Sequence, residues 1–196
     1  MKKGIRIVGI AIICIGIIVG YYYYLSNHGK KDVENSTEIS KVDEALSRDL
    51  AKDYPPTPRE VVKFYNKLLQ CFYNEDCSKS EIEELGGQAR LLMDDALLAN
   101  TPKEQYLTLL ESDIQDSKDK GKTISDTTVA NSSDIKYQKV KGEECAYVTA
   151  SYFVKDGNSY TRTYEEYVLR KDTNKQWKIL GYQLTKGDSS DECLLI

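Results

Sequence analysis

The sequence predicts an α+β fold: an N-terminal transmembrane helix, then three helices packed on one side of a curved antiparallel sheet. Three observations point there. The chain opens with a long run free of charge. Three helix-start signals follow one another between Thr57 and Tyr106. After Gly121 the apolar residues recur at every second position rather than every third or fourth. Helices first and an antiparallel meander afterwards is the α+β order.

The run from Ile7 to Leu25 is 19 residues without a charged side chain, about enough at helical rise to cross a hydrocarbon core of about 30 Å. Lys2, Lys3 and Arg6 precede it, which by the positive-inside rule leaves the N-terminus in the cytoplasm; Lys30 and Lys31 beyond the run pull the other way. Tyr21 to Tyr24 sit where an aromatic belt meets the outer headgroups. A cleaved signal peptide needs small residues in an A-x-A-like arrangement after a shorter apolar run, and "IVGYYYYLSN" supplies none. Residues 1–25 are therefore expected to be a cytoplasmic tip and anchor. The expected location is the cell membrane, single-pass, with the C-terminal domain extracellular. The terminal "CLLI" fits a prenylation pattern at Cys193, but that modification acts on cytosolic C-termini, so the match reads as coincidence.

Residues 26–53 are polar and poor in aromatics and read as a stalk, in which Ile39, Val42, Leu46 and Leu50 keep helical spacing and suggest a short amphipathic helix. The domain is expected over residues 54–186, with 187–196 as a flexible tail. Its first helix starts at "TPRE": Thr57 as N-cap, Pro58 at the first helical position and Glu60 completing a capping box. Val61, Phe64, Tyr65, Leu68 and Phe72 then line one face. Ser80 and Glu83 suggest a second box, followed by a stripe of Ile82, Leu85, Ala89, Leu92, Met93 and Ala96, with Gly86–Gly87 as a weak point. Thr101, Pro102 and Glu104 repeat the device before Tyr106, Leu110 and Ile114.

Strands are expected around Thr123–Ala130 and Ile135–Lys141. The clearest is "CAYVTASYFV", in which Ala146, Val148, Ala150, Tyr152 and Val154 share a face. Asp156-Gly157 signals a hairpin turn into a strand from Tyr160 to Arg170. The last strand, "QWKILGYQLT", is apolar on both sides: Trp177 and Ile179 on one, Leu180, Tyr182 and Leu184 on the other. A half-buried strand should be apolar on one face only, so something must cover the second, unless a bulge reverses the parity.

Beyond the first 31 residues the chain carries 22 basic and 31 acidic side chains. That balance disfavours nucleic acid, whose binding rests on neutralising phosphates. The single histidine, His28, falls outside the domain, which excludes a Ser–His–Asp triad, a His-paired cysteine and the HExxH metal motif there. Neither a P-loop nor a dinucleotide fingerprint is present, so no cofactor and no metal is expected. In the paired carboxylates Asp94-Asp95, Glu143-Glu144 and Glu165-Glu166 the two neighbours do not share a face, so each pair reads as one solvated acid beside another element's edge, with surface acids as the default. An isomerase-like site needs a carboxylate and a hydrogen-bond donor in an apolar pocket; Asp94 or Asp95 with Tyr106 or Tyr152 would be candidates, but no catalytic residue is assigned. Tyrosine is over-represented, with fifteen in the chain. Tyr147, Tyr160, Tyr164 and Trp177 are the candidate binding surface, on whichever sheet face the helices leave open. Cys71 and Cys77 flank a short connection that a disulfide would bridge outside the cell; two buried free thiols are the alternative.

"TPREVVKFYNKLL", then "ARLLMDDALL", then a meander ending "YVLRKDTNKQWKILGY", resembles the nuclear transport factor 2-like superfamily, and is most similar to small membrane-anchored members from Gram-positive bacteria. The resemblance implies a cone of bent sheet wrapped around helices, with a pocket at its open end. One such fold hosts several functions. The expected function is a membrane-anchored extracytoplasmic binding module without catalytic activity. Its expected partners are the membrane through the N-terminal helix, a protein partner or second copy, and a small apolar ligand. The alternatives are a subunit of an envelope secretion or conjugation complex and a small-molecule isomerase or dehydratase.

Overall fold

A computed structural model describes residues 40–186. The transmembrane helix expected at Ile7–Leu25, most of the stalk and the tail at 187–196 lie outside the described residues. The predicted fold class needs correction on two points. Among the described residues no helix is long and apolar enough to cross a membrane. The two longest have 17 residues each and charged side chains along their outer faces. Among the described residues there are also five α-helices rather than three. It remains α+β with an antiparallel sheet.

The helices are α1 (Lys41–Leu46), α2 (Pro58–Asn74), α3 (Lys79–Leu91), α4 (Asp95–Asn100) and α5 (Lys103–Asp119). The strands are β1 (Lys122–Val129), β2 (Lys136–Val140), β3 (Glu143–Asp156), β4 (Ser159–Lys171) and β5 (Trp177–Thr185), with one 3-10 turn at Ser132–Asp134. The described residues from Lys41 onward form one compact unit. It takes in Lys41–Asp53, which the sequence reading puts in a stalk: Val42, Ala45 and Leu50 join the core.

The α2 start keeps the expected N-cap and proline, with the Thr57 side chain accepting the Glu60 N–H at 3.2 Å, but the Glu60 carboxylate pairs with Lys63 at 3.2 Å instead of completing a capping box. The other two caps differ. The α3 box is made by Ser78 and Glu81, two residues upstream of the expected pair. α5 begins after Pro102 with no side-chain cap. The expected second helix ends at Leu91 because Leu92–Asp94 leave it to pair with the edge of β5: Ile179 N–H reaches the Leu92 carbonyl and Asp94 N–H the Ile179 carbonyl, both at 2.8 Å. Asp94 then caps α4 through the Ala96 N–H. Gly86 is no weak point. A Cβ there would stand 2.8 Å from Leu107 of α5, so the glycine allows close helix packing.

The sheet order is β1-β3-β4-β5, with β2 pairing the first half of β3 on the edge that β1 holds in the second half. The β3–β4 hairpin closes between Asp156 and Ser159, and Gly157 at φ 59° supplies the left-handed turn residue. α2 is tied across the sheet at both ends. Arg59 donates to the Ala130 carbonyl at 2.8 Å. Asn74 donates to the Ile124 carbonyl at 2.7 Å and accepts its N–H at 2.8 Å.

Register explains the doubly apolar last strand. Val168 opposes Gly181 but Leu169 opposes Ile179, so Leu180 is an extra residue in β5. Before it Trp177 and Ile179 share the helix-covered face with Leu169; after it Tyr182 and Leu184, opposite Tyr167 and Glu165, share that same face. Trp177 and Ile179 are buried, whereas Tyr182 and Leu184 are 58% and 76% exposed. The helices cover the first half of the strand's inner face and leave the second half open.

Candidate functional site

That open half borders a cavity of about 180 Å³ lined by Tyr65, Leu69 and Tyr73 of α2 and by Ile124, Tyr152, Val154, Thr163, Glu165, Tyr167 and Tyr182 of the sheet. A neighbouring cavity of about 220 Å³ shares Tyr73, Ile124 and Val154 with it and adds Asp113 and Ser117 of α5, Lys122 and Thr123. Together they make a cleft between α2, α5 and the far half of the sheet. α2 brings its tyrosines there because Tyr65, Leu69 and Tyr73 follow one another at helical spacing of four. β3 and β4 contribute Tyr152, Glu165 and Tyr167 through the inward parity of strands in register.

The floor is a hydrogen-bonded chain. Tyr152 Oη lies 2.7 Å from Asn66 Oδ1 and 2.6 Å from Tyr167 Oη, and Tyr167 Oη lies 2.8 Å from Glu165 Oε2. Asn66, Tyr152 and Tyr167 are buried and Glu165 is half-buried. Two hydroxyl hydrogens cannot fill three contacts. A protonated Glu165 closes the chain by donating to Tyr167, which donates to Tyr152, which donates to Asn66 Oδ1. An ionised Glu165 closes it only if Asn66 turns its amide over, so that Nδ2, which has no partner as placed, donates to Tyr152 and every donor points toward the carboxylate. The protonation of Glu165 and the orientation of Asn66 are thus coupled.

Burial pushes the Glu165 carboxyl above its ordinary value, against the lowering effect of its hydrogen bonds from Tyr167 and Tyr152. The hydroxyls of Tyr65, Tyr73, Tyr152, Tyr167 and Tyr182 are all raised, chiefly by burial, so they stay neutral donors and acceptors. Tyr73 also donates to Asp113 Oδ2. The rings of Tyr65, Tyr167 and Tyr182 stand in sequence, with centroids 5.9 and 5.4 Å apart.

The residues singled out by sequence lie elsewhere or divide. Tyr147, Tyr160 and Tyr164 project from the outer sheet face, where Tyr160 stacks on Phe153 with centroids 5.3 Å apart. Trp177 is on the opposite face, 7% exposed, beside Tyr137 and under Lys171. The four do not form one surface. Asp94 is not paired with Tyr106 or Tyr152. It is buried, accepts from Arg170 Nε at 2.9 Å, and Arg170 also reaches Glu143 at 2.7 Å. Burial pushes Asp94 up, but the Arg170 and Ala96 hydrogen bonds and the Arg170 charge outweigh it and hold the carboxyl below the usual range. This pair borders a polar cavity of about 420 Å³ in which Arg90, Arg170, Lys171 and Lys178 face Asp94, Asp95, Glu143 and Asp172. Its charges answer one another.

Cys71 and Cys77 are free thiols: Cys77 Sγ donates to the Cys71 carbonyl at 3.4 Å, and Cys71 Sγ to the Lys41 carbonyl at 3.5 Å. Burial pushes the Cys71 thiol up to about 11, which suppresses thiolate chemistry. No group of three His, Cys, Asp or Glu side chains among the described residues is placed to hold a metal ion.

Sequence reasoning missed Glu165 because the doublet Glu165-Glu166 reads as surface. The signal was parity. Glu165 falls on the inward phase of Thr163, Tyr167 and Leu169, while Glu166 falls on the outward phase and takes a hydrogen bond from Gln183. Comparison with functionally curated proteins finds no match to this chain. A family profile does match it over residues 1–182, nearly its whole length. The chain belongs to the family described as Domain of unknown function (DUF6715).

Proposed function

We propose that this domain is a binding module whose ligand is a small, largely apolar molecule held in the cleft between α2, α5 and the far half of the sheet. The observation that carries this is the buried Asn66–Tyr152–Tyr167 chain ending in a half-buried carboxylate beneath open aromatic walls. A core that needed only packing would put apolar residues there, because buried polar groups cost free energy unless fully satisfied. Apolar lining with a few convergent polar groups is the usual composition of a ligand site. The order of helices before an antiparallel meander supports the nuclear transport factor 2-like relationship, which belongs to the same reading. Display outside the cell belongs to it too and rests on the uncharged N-terminal run of the sequence; fractionation with protease accessibility tests it.

The test is a small-molecule library read by melting temperature, on the wild type and on Thr163→Trp, which fills the cleft from a half-buried position. A ligand present at about a hundred times its Kd raises the wild-type melting temperature by about 5 °C or more. The variant should lose that response while keeping its own cooperative transition. Ligands that stabilise both proteins equally would sink the reading.

One observation favours a second reading, acid–base catalysis: Glu165 is a carboxyl raised by burial beside two tyrosine hydroxyls. Under it Glu165→Gln abolishes turnover of a bound compound without abolishing its binding.

A further inference from the structure

The charge balance of the cleft narrows the ligand class, on the footing that the cleft is the ligand site. In the polar cavity near Asp94, Asp94 and Glu143 are ion-paired to Arg170, and Lys178 lies within electrostatic reach of Asp172 and Asp95. In the tyrosine cavity Glu165 is the one charged lining residue, and among the described residues no Lys or Arg pairs with it. The neighbouring cavity adds Asp113 and Lys122, and Lys122 is engaged by Asp156 at 3.4 Å. The walls carry negative potential as well, because the face of a tyrosine ring is the negative part of its quadrupole. An anionic ligand would meet repulsion from Glu165 and the ring faces, with Lys122 already engaged by Asp156. A neutral ligand would dehydrate Glu165 further and leave it unpaired, at a cost. A cation reverses that cost.

We propose that the cleft takes a small free organic cation, an ammonium bearing apolar groups, with Glu165 as its counter-charge and the rings of Tyr65, Tyr167 and Tyr182 as its walls. The cavity of about 180 Å³ suits a head group of choline size. The hydrogen count adds a consequence. A bound cation requires the ionised carboxyl, so it selects the chain in which Asn66 Nδ2 donates to Tyr152, and it expels the proton from any Glu165 that held one. The groups facing Glu165 are Tyr152, Tyr167 and Tyr182, with Asp113 and Lys122 beyond Tyr73. The tyrosines have hydroxyls raised by burial and do not titrate near neutrality, so the acid-side dependence of binding reports the Glu165 carboxyl.

Choline and 3,3-dimethylbutan-1-ol, the same shape with carbon in place of the charged nitrogen, are titrated calorimetrically into the full-length chain. Choline should bind at least about tenfold more tightly than the alcohol. Glu165→Gln should erase that advantage. Tyr182→Leu, at a position 58% exposed and so tolerant of change, should weaken choline severalfold while the melting temperature holds. Choline affinity should fall as the solution is acidified through the raised Glu165 titration, with the displaced proton taken up by buffer at the lower end. If the alcohol binds as tightly as choline, the cation class is wrong and the cleft reading survives. If choline binds equally to Glu165→Gln, the counter-charge assignment is wrong. If neither compound binds, the cation proposal falls, and the Thr163→Trp comparison judges the cleft separately. Retention on phosphatidylcholine vesicles without any response to free choline overturns the free-ligand form.

Discussion

Asp94 is tied to β4 through Arg170 and Glu165 is a residue of that strand, yet their surroundings are opposite. Asp94 caps α4, receives the Arg170 guanidinium and is held ionised by it. Glu165 has no basic partner among the described residues, receives only tyrosine hydroxyls, and is pushed toward neutrality by burial. The first arrangement is complete in itself. The second becomes complete only when a proton or a cation arrives. Where a fold satisfies a buried charge from its own residues, the charge belongs to the architecture. Where it leaves one unmatched beside a cavity, the mismatch is the place to look for chemistry.

The comparison is sharpened most by a variant at the Asp94 end. Trp177→Ala removes a side chain 7% exposed, which lies against Tyr137 next to the β5 edge that Leu92–Asp94 join. A loss of about 3–5 kcal/mol is expected in denaturant melts. A loss below about 1 kcal/mol would show that this end is not the structural one. Second, Arg170→Ala strands the Asp94 carboxylate and should cost about 3 kcal/mol, whereas Asp94→Asn, which leaves Arg170 its Glu143 partner, should cost less. Equal costs would break the claim that Asp94 is the buried partner.

The smallest effect is the pH dependence, where the two carboxyls have opposite signs. Asp94 has a depressed folded pKa, so its stabilisation is present above its unfolded value and is lost as pH falls through the folded one. Glu165 has a raised folded pKa, so it opposes folding above that value, and the penalty disappears below its unfolded value near 4.5. Glu165→Gln should therefore match or exceed the wild type at neutral pH, within about 1 kcal/mol, and converge with it in acid. A variant less stable at neutral pH, with a gap that persists in acid, would assign Glu165 to the architecture after all.

Much of the sheet was legible. Period-two patterning placed β1 to β5 within a residue or two, because β1, β3, β4 and β5 each turn one face to the core, while β2 is exposed throughout and is held by its pairing with β3. The helices were legible where the cap and the stripe agree, as at Thr57 with Val61 and Phe64. They were misread where a distant partner decides. Leu92 and Met93 fit a helical stripe, and only the backbone of Ile179 pulls them out of it. The short helix at Lys41–Leu46 looked like stalk because its burial depends on residues elsewhere in the chain; Lys41 itself reaches Glu75. The site was the least legible part. An acid doublet on a strand looks the same whether one member points inward or neither does, and neighbours from β3 and α2 decide it.

The extra residue at Leu180 gives the last strand two reading frames. Trp177 and Ile179 are set by one frame and Tyr182 and Leu184 by the other, so the packing half and the cleft half of a single nine-residue strand can drift apart over evolution. Substitutions after Gly181 retune the mouth of the cleft without touching the frame that seats Trp177. Deleting Leu180 would straighten the strand and leave Tyr182 and Leu184 on the cleft face, whereas a regular ladder that kept Leu180 would present Gln183 and Thr185 there instead, so the bulge is what gives the cleft an aromatic rim rather than a polar one.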